Sequence, residues 1–218
     1  MFDLTSVYRP EIANEIPSLT FDEHRLSESH RLLIGTQADQ FAFIGSRFEQ
    51  LWDLHPEEFS ELRIHGKWVK MPRWQSIFGA DYHFSGRVHA GAPVPELLQP
   101  LLGWARQHVE PRLNGVVVTW YDGSLGHYIG KHRDSTRRMV PGAPIVMLSF
   151  GQQRTLRLRP WKRSGRYYDF PVCAGTVVIL PYETNLAWTH EVPRSTRATG
   201  RRVSVTLRAF EPSPAAQR

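Results

Sequence analysis

The sequence predicts an α+β protein, with a helical N-terminal layer against a C-terminal sandwich or barrel of short β-strands. Two observations carry that expectation. From Asn114 onward, short apolar or alternating runs follow one another between Gly and Pro punctuation, with no helical pattern between them. Ahead of them, VPELLQPLLGWARQHVEP puts Leu97, Leu98, Leu101, Leu102, Ala105 and Val109 on one stripe, with Pro95 near its start. At 218 residues, 41% of them apolar, the chain can close a single domain around a substantial core.

Residues 1–15 read as a flexible N-terminus and 211–218 (EPSPAAQR) as a flexible tail, with one domain over 16–210. Between Phe41 and Trp68 the pattern suggests a strand or two and a short helix near PEEFSEL. The expected helix over VPELLQPLLGWARQHVEP carries an internal Pro100, which weakens that turn. The expected strands are GVVVTWY, PIVMLSF, RTLRLRP, GTVVILP and RRVSVTLRAF. Trp68, Trp74, Trp120, Trp161 and Trp188 are expected to pack, and Cys173 to behave as a small apolar residue.

Composition removes several classes. No apolar run approaches the roughly 18 residues of a membrane span. MFDLTSVYRPEIANEIP has neither the basic start nor the apolar core of a secretory signal. One cysteine permits no internal disulfide and no paired-cysteine zinc site, so the expected location is the cytoplasm. Lys and Arg total 27 against 21 acidic residues, with a pI near 9.8. The surplus gathers at Arg137 and Arg138, from Arg154 to Arg166, and at Arg194, Arg197, Arg201 and Arg202. Such clusters suit a polyanionic partner, and equally suit solvated loops and strand faces.

The chemistry-bearing pattern is His132-Arg133-Asp134. On a strand or its end, residues two apart share a face, so both side chains can reach one ion. His190, far downstream and at the end of an expected strand, offers a third ligand. Two imidazoles and one carboxylate leave positions open for a cosubstrate and oxygen, the arrangement of non-haem Fe(II) oxygenases. A His-x-Asp alone is a weak signal, and His55-Pro56-Glu57 is a competing His-x-Glu without an obvious third ligand. The last strand strengthens the case. In RVSVTLR, Val203, Val205 and Leu207 share one face, and Arg202, Ser204, Thr206 and Arg208 share the other. If the apolar face meets the outer layer, two arginines and two hydroxyls turn inward. Buried guanidinium groups need anions, and a small dicarboxylate fits their fork geometry. The competing reading is an edge strand with a solvated polar face.

These residues, with their order and spacing, resemble the AlkB family of Fe(II)/2-oxoglutarate dioxygenases, most closely the branch of the duplex-DNA repair demethylases. The resemblance runs from about Ile64 to Phe210 and rests on IHGKWVKMPRWQSIFG, DYHFSG, WYDGSLGHYIGKHRD, PGAPIVMLSFG and the Arg202-x5-Arg208 pair. It implies a double-stranded β-helix, or jelly-roll barrel, over about 114–210, with a nucleotide-recognition lid over about 62–90. It implies iron on His132, Asp134 and His190, and 2-oxoglutarate held by Arg202, Arg208 and Tyr121, with Thr119, Ser204 and Thr206 beside it. Molecular oxygen is the third participant. Phe84 and His132 would sandwich a flipped base, with Tyr82, Arg73, Ser135 and His65 around it. The implied reaction is oxidative dealkylation of an N-alkylated nucleobase in DNA or RNA by a monomeric enzyme. No general base is required, because the iron cofactor supplies the oxidant.

Four positions depart from the family pattern. Thr119 and Ser204 stand where it has asparagines, Ser135 where it has an acid, and His65 where duplex readers carry an aromatic wedge. They leave the chemistry in place and open a second reading: the same oxidation on a free nucleoside, a small metabolite or a protein side chain. A third, a non-catalytic nucleic-acid-binding module, sits poorly with an intact triad and both arginines.

Overall fold

A computed structural model describes residues 20–36, 41–64, 66–162 and 166–212. Its strands are β1 (Asp22–Arg25), β2 (Arg31–Thr36), β3 (Glu61–Ile64), β4 (Lys67–Lys70), β5 (Trp74–Gly79), β6 (Tyr82–Phe84), β7 (Arg87–His89), β8 (Gly115–Asp122), β9 (Ile129–His132), β10 (Ile145–Gly151), β11 (Arg154–Pro160), β12 (Tyr168–Val172), β13 (Thr176–Leu180), β14 (Trp188–Val192) and β15 (Arg201–Arg208). Seven of them form a large antiparallel sheet in the order β1-β2-β13-β10-β15-β8-β5, and four form a smaller one in the order β12-β11-β14-β9. The two sheets face each other as a jelly roll. All five strands expected after Asn114 are present. The large sheet also takes in β1, β2 and β5, which lie outside the expected 114–210 span.

Alternation along the strands divides the apolar residues between two layers. Val116, Val118, Trp120, Val146, Leu148, Phe150, Val203, Val205 and Leu207 form the outer core with the helices, while Val117, Met147, Val178, Leu156, Leu158 and Val172 pack between the sheets. The last strand therefore presents Arg202, Ser204, Thr206 and Arg208 to the interior, all four buried. The solvated edge-strand reading falls, because β15 lies between β10 and β8.

The helical layer is thin: Ala42–Gly45, Phe48–Trp52, and a 3-10 turn Glu96–Leu98 leading into Gln99–His108. Pro100 occupies the first turn of the last helix, where its missing N–H has no partner to lose, so it costs little there. The expected helix near PEEFSEL does not form. Pro56 disfavours helical backbone at the residue before it, and Phe59 stacks on Trp74 with ring centroids 5.1 Å apart. That contact holds the segment irregular until β3 begins.

Two hairpins flank β5, so the segment 62–90 is divided by a strand of the barrel wall. β3 pairs with β4 and β6 with β7, the latter through Ser85 and Gly86, both at positive φ (50° and 74°) as a two-residue hairpin requires. Trp68 and Trp161 depart from the packing expectation. They are 46% and 43% exposed, each with a guanidinium over its ring, Arg87 at 4.1 Å and Arg133 at 4.2 Å. Cys173 is half-buried, with its Sγ 3.3 Å from the Thr176 hydroxyl. Among the described residues no helix is long and apolar enough to cross a membrane.

Gly151 ends β10 opposite Arg202 at φ 82°, and an added Cβ would meet the Arg201 carbonyl and the Phe48 ring. Gly151→Ala is expected to destabilise the fold by about 2 kcal/mol, measured by urea unfolding. An unchanged midpoint would show that this turn tolerates a side chain.

Candidate active site

β9 and β14 bring the histidines together. His132 lies directly opposite His190 and Ile129 opposite Val192, so three residue steps on β9 match two on β14. That extra residue is a bulge, and it re-aims the end of β9 so that both imidazoles face inward. Their ring centroids are 4.3 Å apart. Asp134, in the loop after β9, completes the cluster. Its Oδ1 is 3.6 Å from His132 Nε2 and 3.8 Å from His190 Nε2. His55, the competing motif, is bound instead to the Pro56 carbonyl and stacked on Trp74.

The two oxygens of Asp134 have separate surroundings. Oδ1 faces the imidazoles and accepts the Tyr82 hydroxyl at 3.4 Å. Oδ2 accepts from Arg208, whose Nε is 2.9 Å away and whose Nη2 also donates to it. Burial would raise the carboxyl, but Arg208 and the histidines outweigh it and hold Asp134 well below the usual carboxylate range. His132 Nδ1 lies 2.9 Å from the Gly130 carbonyl, which can only accept, so Nδ1 is the donor there and Nε2 is the nitrogen turned towards Asp134. The backbone of Asp134 is clamped by Asn185: its N–H donates to Asn185 Oδ1 at 3.0 Å, and Asn185 Nδ2 donates back to its carbonyl at 3.1 Å.

These three side chains suit a divalent iron. Their ligand atoms lie within 4.8 Å of one another, two imidazoles and a carboxylate share one face, and the Nδ1 of buried His190 finds no partner among the described residues. Burial, with His132 beside it, pushes the His190 imidazole down to about 3. Its folded value lies below its unfolded one, so acid favours the unfolded chain. The metal-free protein is expected to lose about 1.4 kcal/mol of stability per pH unit through this group as pH falls from 6 to 4. Urea titrations at those pH values measure it, and a His190→Asn variant should lack that slope.

Behind the triad a cavity of about 570 Å³ opens between the sheets, and Arg202, Ser204, Thr206 and Arg208 line it. Across the large sheet Gln75, Thr119, Ser204 and Ser149 stand in one row of direct neighbours. Tyr121 and Arg202 form the next row, with the guanidinium carbon 5.1 Å from the ring centroid. Arg202 Nη2 donates to Ser149 Oγ at 2.8 Å. Its Nε and Nη1, and Nη1 of Arg208, are buried without an acceptor among the described residues. Buried guanidinium donors of this kind call for an anion. A dicarboxylate would supply one.

A sequence profile of the 2OG-Fe(II) oxygenase superfamily matches residues 59–208, the span that carries all of these side chains. The chain belongs to the 2OG-Fe(II) oxygenase superfamily. It is an Fe(II)- and 2-oxoglutarate-dependent dioxygenase, and molecular oxygen is its further participant. Its relatives put it in the AlkB-like branch. It is 29% identical over 195 residues to the human DNA oxidative demethylase ALKBH2, covering 83% of this chain and 72% of the relative. It is 32% identical over 155 residues to the rat alpha-ketoglutarate-dependent dioxygenase alkB homolog 3, covering 66% of this chain and 52% of the relative. The solved structure of OsALKBH1 superposes with a TM-score of 0.57 at 14% identity, covering 87% of this chain and all of that one, and shows the jelly-roll fold.

Of the residues read from the sequence, Tyr82, Phe84, Arg73 and Ser135 line the same cavity as the triad. Phe84 stacks on His89 at 3.8 Å and leans on Tyr82, so β6 and β7 hold its ring rigid. Tyr82 is buried, and burial, with Arg208 opposing, pushes its phenol up. Its hydroxyl is turned towards Asp134. Ser135 Oγ accepts the Arg137 N–H at 3.4 Å. His65 lies outside the described residues.

The basic clusters behave differently from a row of phosphate contacts. Arg154 and Arg202 are buried. Arg157 pairs with Asp169, Arg159 with Glu191, and Arg201 with Glu49. Strand alternation explains it: RTLRLRP turns Arg154 in and the next two arginines out, towards acidic cross-strand neighbours. Arg137, Arg133, Lys131 and Arg87 line the cavity instead. Sequence reasoning gave no role to Asn185 or Ser149. Ser149 lies in PGAPIVMLSFG, whereas nothing local marks Asn185, whose partner Asp134 is 51 residues away.

Asn185→Ala leaves the Asp134 backbone without its clamp. It is expected to weaken Fe(II) affinity by about 10–100-fold, measured by competition with a chelating dye. Unchanged affinity would mean that Arg208 alone orients the carboxylate.

Proposed function

We propose that this dioxygenase oxidatively dealkylates N-alkylated nucleobases in a DNA or RNA strand. One observation carries the reading: a single cavity joins an anion-binding interior at Arg202 to an aromatic mouth at Phe84 and His132, with the triad between them. The names of the relatives, a DNA demethylase among them, support it.

In this reading His132, Asp134 and His190 hold the iron. Arg202, Tyr121, Thr119, Ser204 and Thr206 hold 2-oxoglutarate, with Arg208 steadying both Asp134 and the near end of the cosubstrate. With iron, 2-oxoglutarate and dioxygen bound, the chemistry supplied is hydroxylation of a C–H bond next to nitrogen, after which the hydroxyalkyl group leaves as an aldehyde. The chain's own work is placement. Phe84, backed by His89, offers one flat face and His132 the other, so a base stacks with its alkyl group towards the triad. Val117, Met147, Leu156, Val172 and Val192 keep the interior dry. Arg137, Lys131 and Arg87 at the mouth meet phosphates, so binding should weaken with salt. The hairpins β3–β4 and β6–β7 serve as the nucleotide-recognition lid, tied together by Trp68 and Arg87. A monomer in the cytoplasm is the form we assign, in keeping with the free thiol of Cys173.

The test follows succinate formation by the iron-loaded protein on a panel of N-methylated and unmodified oligonucleotides, with mass spectrometry reading each strand. Demethylation that vanishes in His132→Ala supports the reading. Succinate without any change in the strands would overturn the nucleic-acid assignment and favour a small substrate, which Ser135, in place of a base-reading acid, also suits.

A further inference from the structure

Three guanidinium groups gather at the far end of the cavity. Arg202 and Arg154 have their guanidinium carbons 5.1 and 5.7 Å from the Tyr121 ring centroid, and the phenols of Tyr121 and Tyr128 act on Arg73. All three side chains are buried. No carboxylate of the described residues is among the groups that act on any of them. Like charges held together out of water, without a counter-ion, are unfavourable. Arg202 and Arg73 line the cavity and can touch an anion directly. Arg154 lies behind its wall. There Nη2 donates to the carbonyls of His127 at 2.9 Å and Pro193 at 3.0 Å, joining the loop after β8 to the loop after β14. Nη1 is buried with no acceptor among the described residues.

We propose that Arg154 is a positioning residue for the far carboxylate of 2-oxoglutarate. It braces two loops behind Tyr121, holds that ring beside Arg202, and adds a second buried positive charge behind the one that touches the carboxylate. Thr119 and Ser204 are short hydroxyls with limited reach, so charge takes a larger share of the recognition. The inference rests on the cosubstrate placement at Arg202 and Tyr121 described above, and holds whatever substrate is oxidised.

The experiment is anaerobic calorimetry on the iron-loaded full chain. Two ligands are compared: 2-oxoglutarate, and 2-oxopentanoate, which keeps the oxo acid but lacks the far carboxylate. Arg154→Gln is expected to weaken 2-oxoglutarate about tenfold and to leave 2-oxopentanoate within about twofold, since only the far charge is lost. Arg154→Lys, which keeps the charge, should recover most of that loss. If Arg154→Gln does not fold, Arg154→Lys carries the test, with about threefold weaker 2-oxoglutarate and unchanged 2-oxopentanoate. Equal weakening of both ligands, or no change for 2-oxoglutarate, overturns the proposal. Arg202→Met tests the placement separately: if it binds 2-oxoglutarate like the wild type, the far carboxylate lies elsewhere and the role of Arg154 falls with it.

Discussion

Arg208→Met is expected to destabilise the metal-free protein by about 3–5 kcal/mol at pH 7, the cost of leaving one partner of a buried pair alone. The side chains of Arg208 and Asp134 are only 5% and 4% exposed, and the guanidinium meets Oδ2 through both Nε and Nη2. Water cannot replace the lost partner. Arg208 is the largest influence opposing the burial that would raise the Asp134 carboxyl. In the wild type that carboxyl sits below its unfolded value, so its contribution is present above about pH 4 and lost as pH falls further. In the variant the carboxyl should sit above its unfolded value, so the deficit narrows as acid protonates it. Urea unfolding at pH 7 and pH 5 reads both effects. A deficit under about 1 kcal/mol at pH 7 would mean that the histidines alone compensate the buried charge.

Arg202→Met is expected to raise the KM for 2-oxoglutarate by about 100-fold, in line with the loss of a bidentate, charge-assisted contact in a dry site. Arg202→Lys should recover only part of this, because a point charge cannot reproduce the fork. The fold should tolerate the methionine better than at Arg208. Arg202 is buried, and among the described residues it meets Ser149 and the Tyr121 ring but no carboxylate, so an apolar replacement removes an uncompensated cation rather than creating one. Steady-state kinetics and thermal melting together are expected to separate the two arginines, with the Arg202 variant changing KM for the cosubstrate and the Arg208 variant changing stability. A KM within about threefold of the wild type would place the far carboxylate elsewhere.

The sequence by itself determined a sandwich or barrel, the five strands after Asn114 and the division of β15 into an apolar and a polar face, because strand alternation is a local pattern with a fixed period of two. The jelly roll came with the family resemblance, and the inward turn of the polar face with the place of β15 between β10 and β8. The sequence also singled out His132, Asp134 and His190 as candidate ligands, since the His-x-Asp spacing of the first two is itself a local pattern. What the tertiary structure decided depends on partners distant in sequence. The β9 bulge sets His132 opposite His190, and Asn185 clamps Asp134 across 51 residues. Charge counting placed Arg154 in a basic cluster open to a polyanionic partner or to solvent, whereas the structure buries it behind Tyr121. PEEFSEL likewise reads as a helix until Phe59 finds Trp74. In each case a side chain's environment comes from elements that meet only after the sheets have closed, and local periodicity holds no information about that meeting.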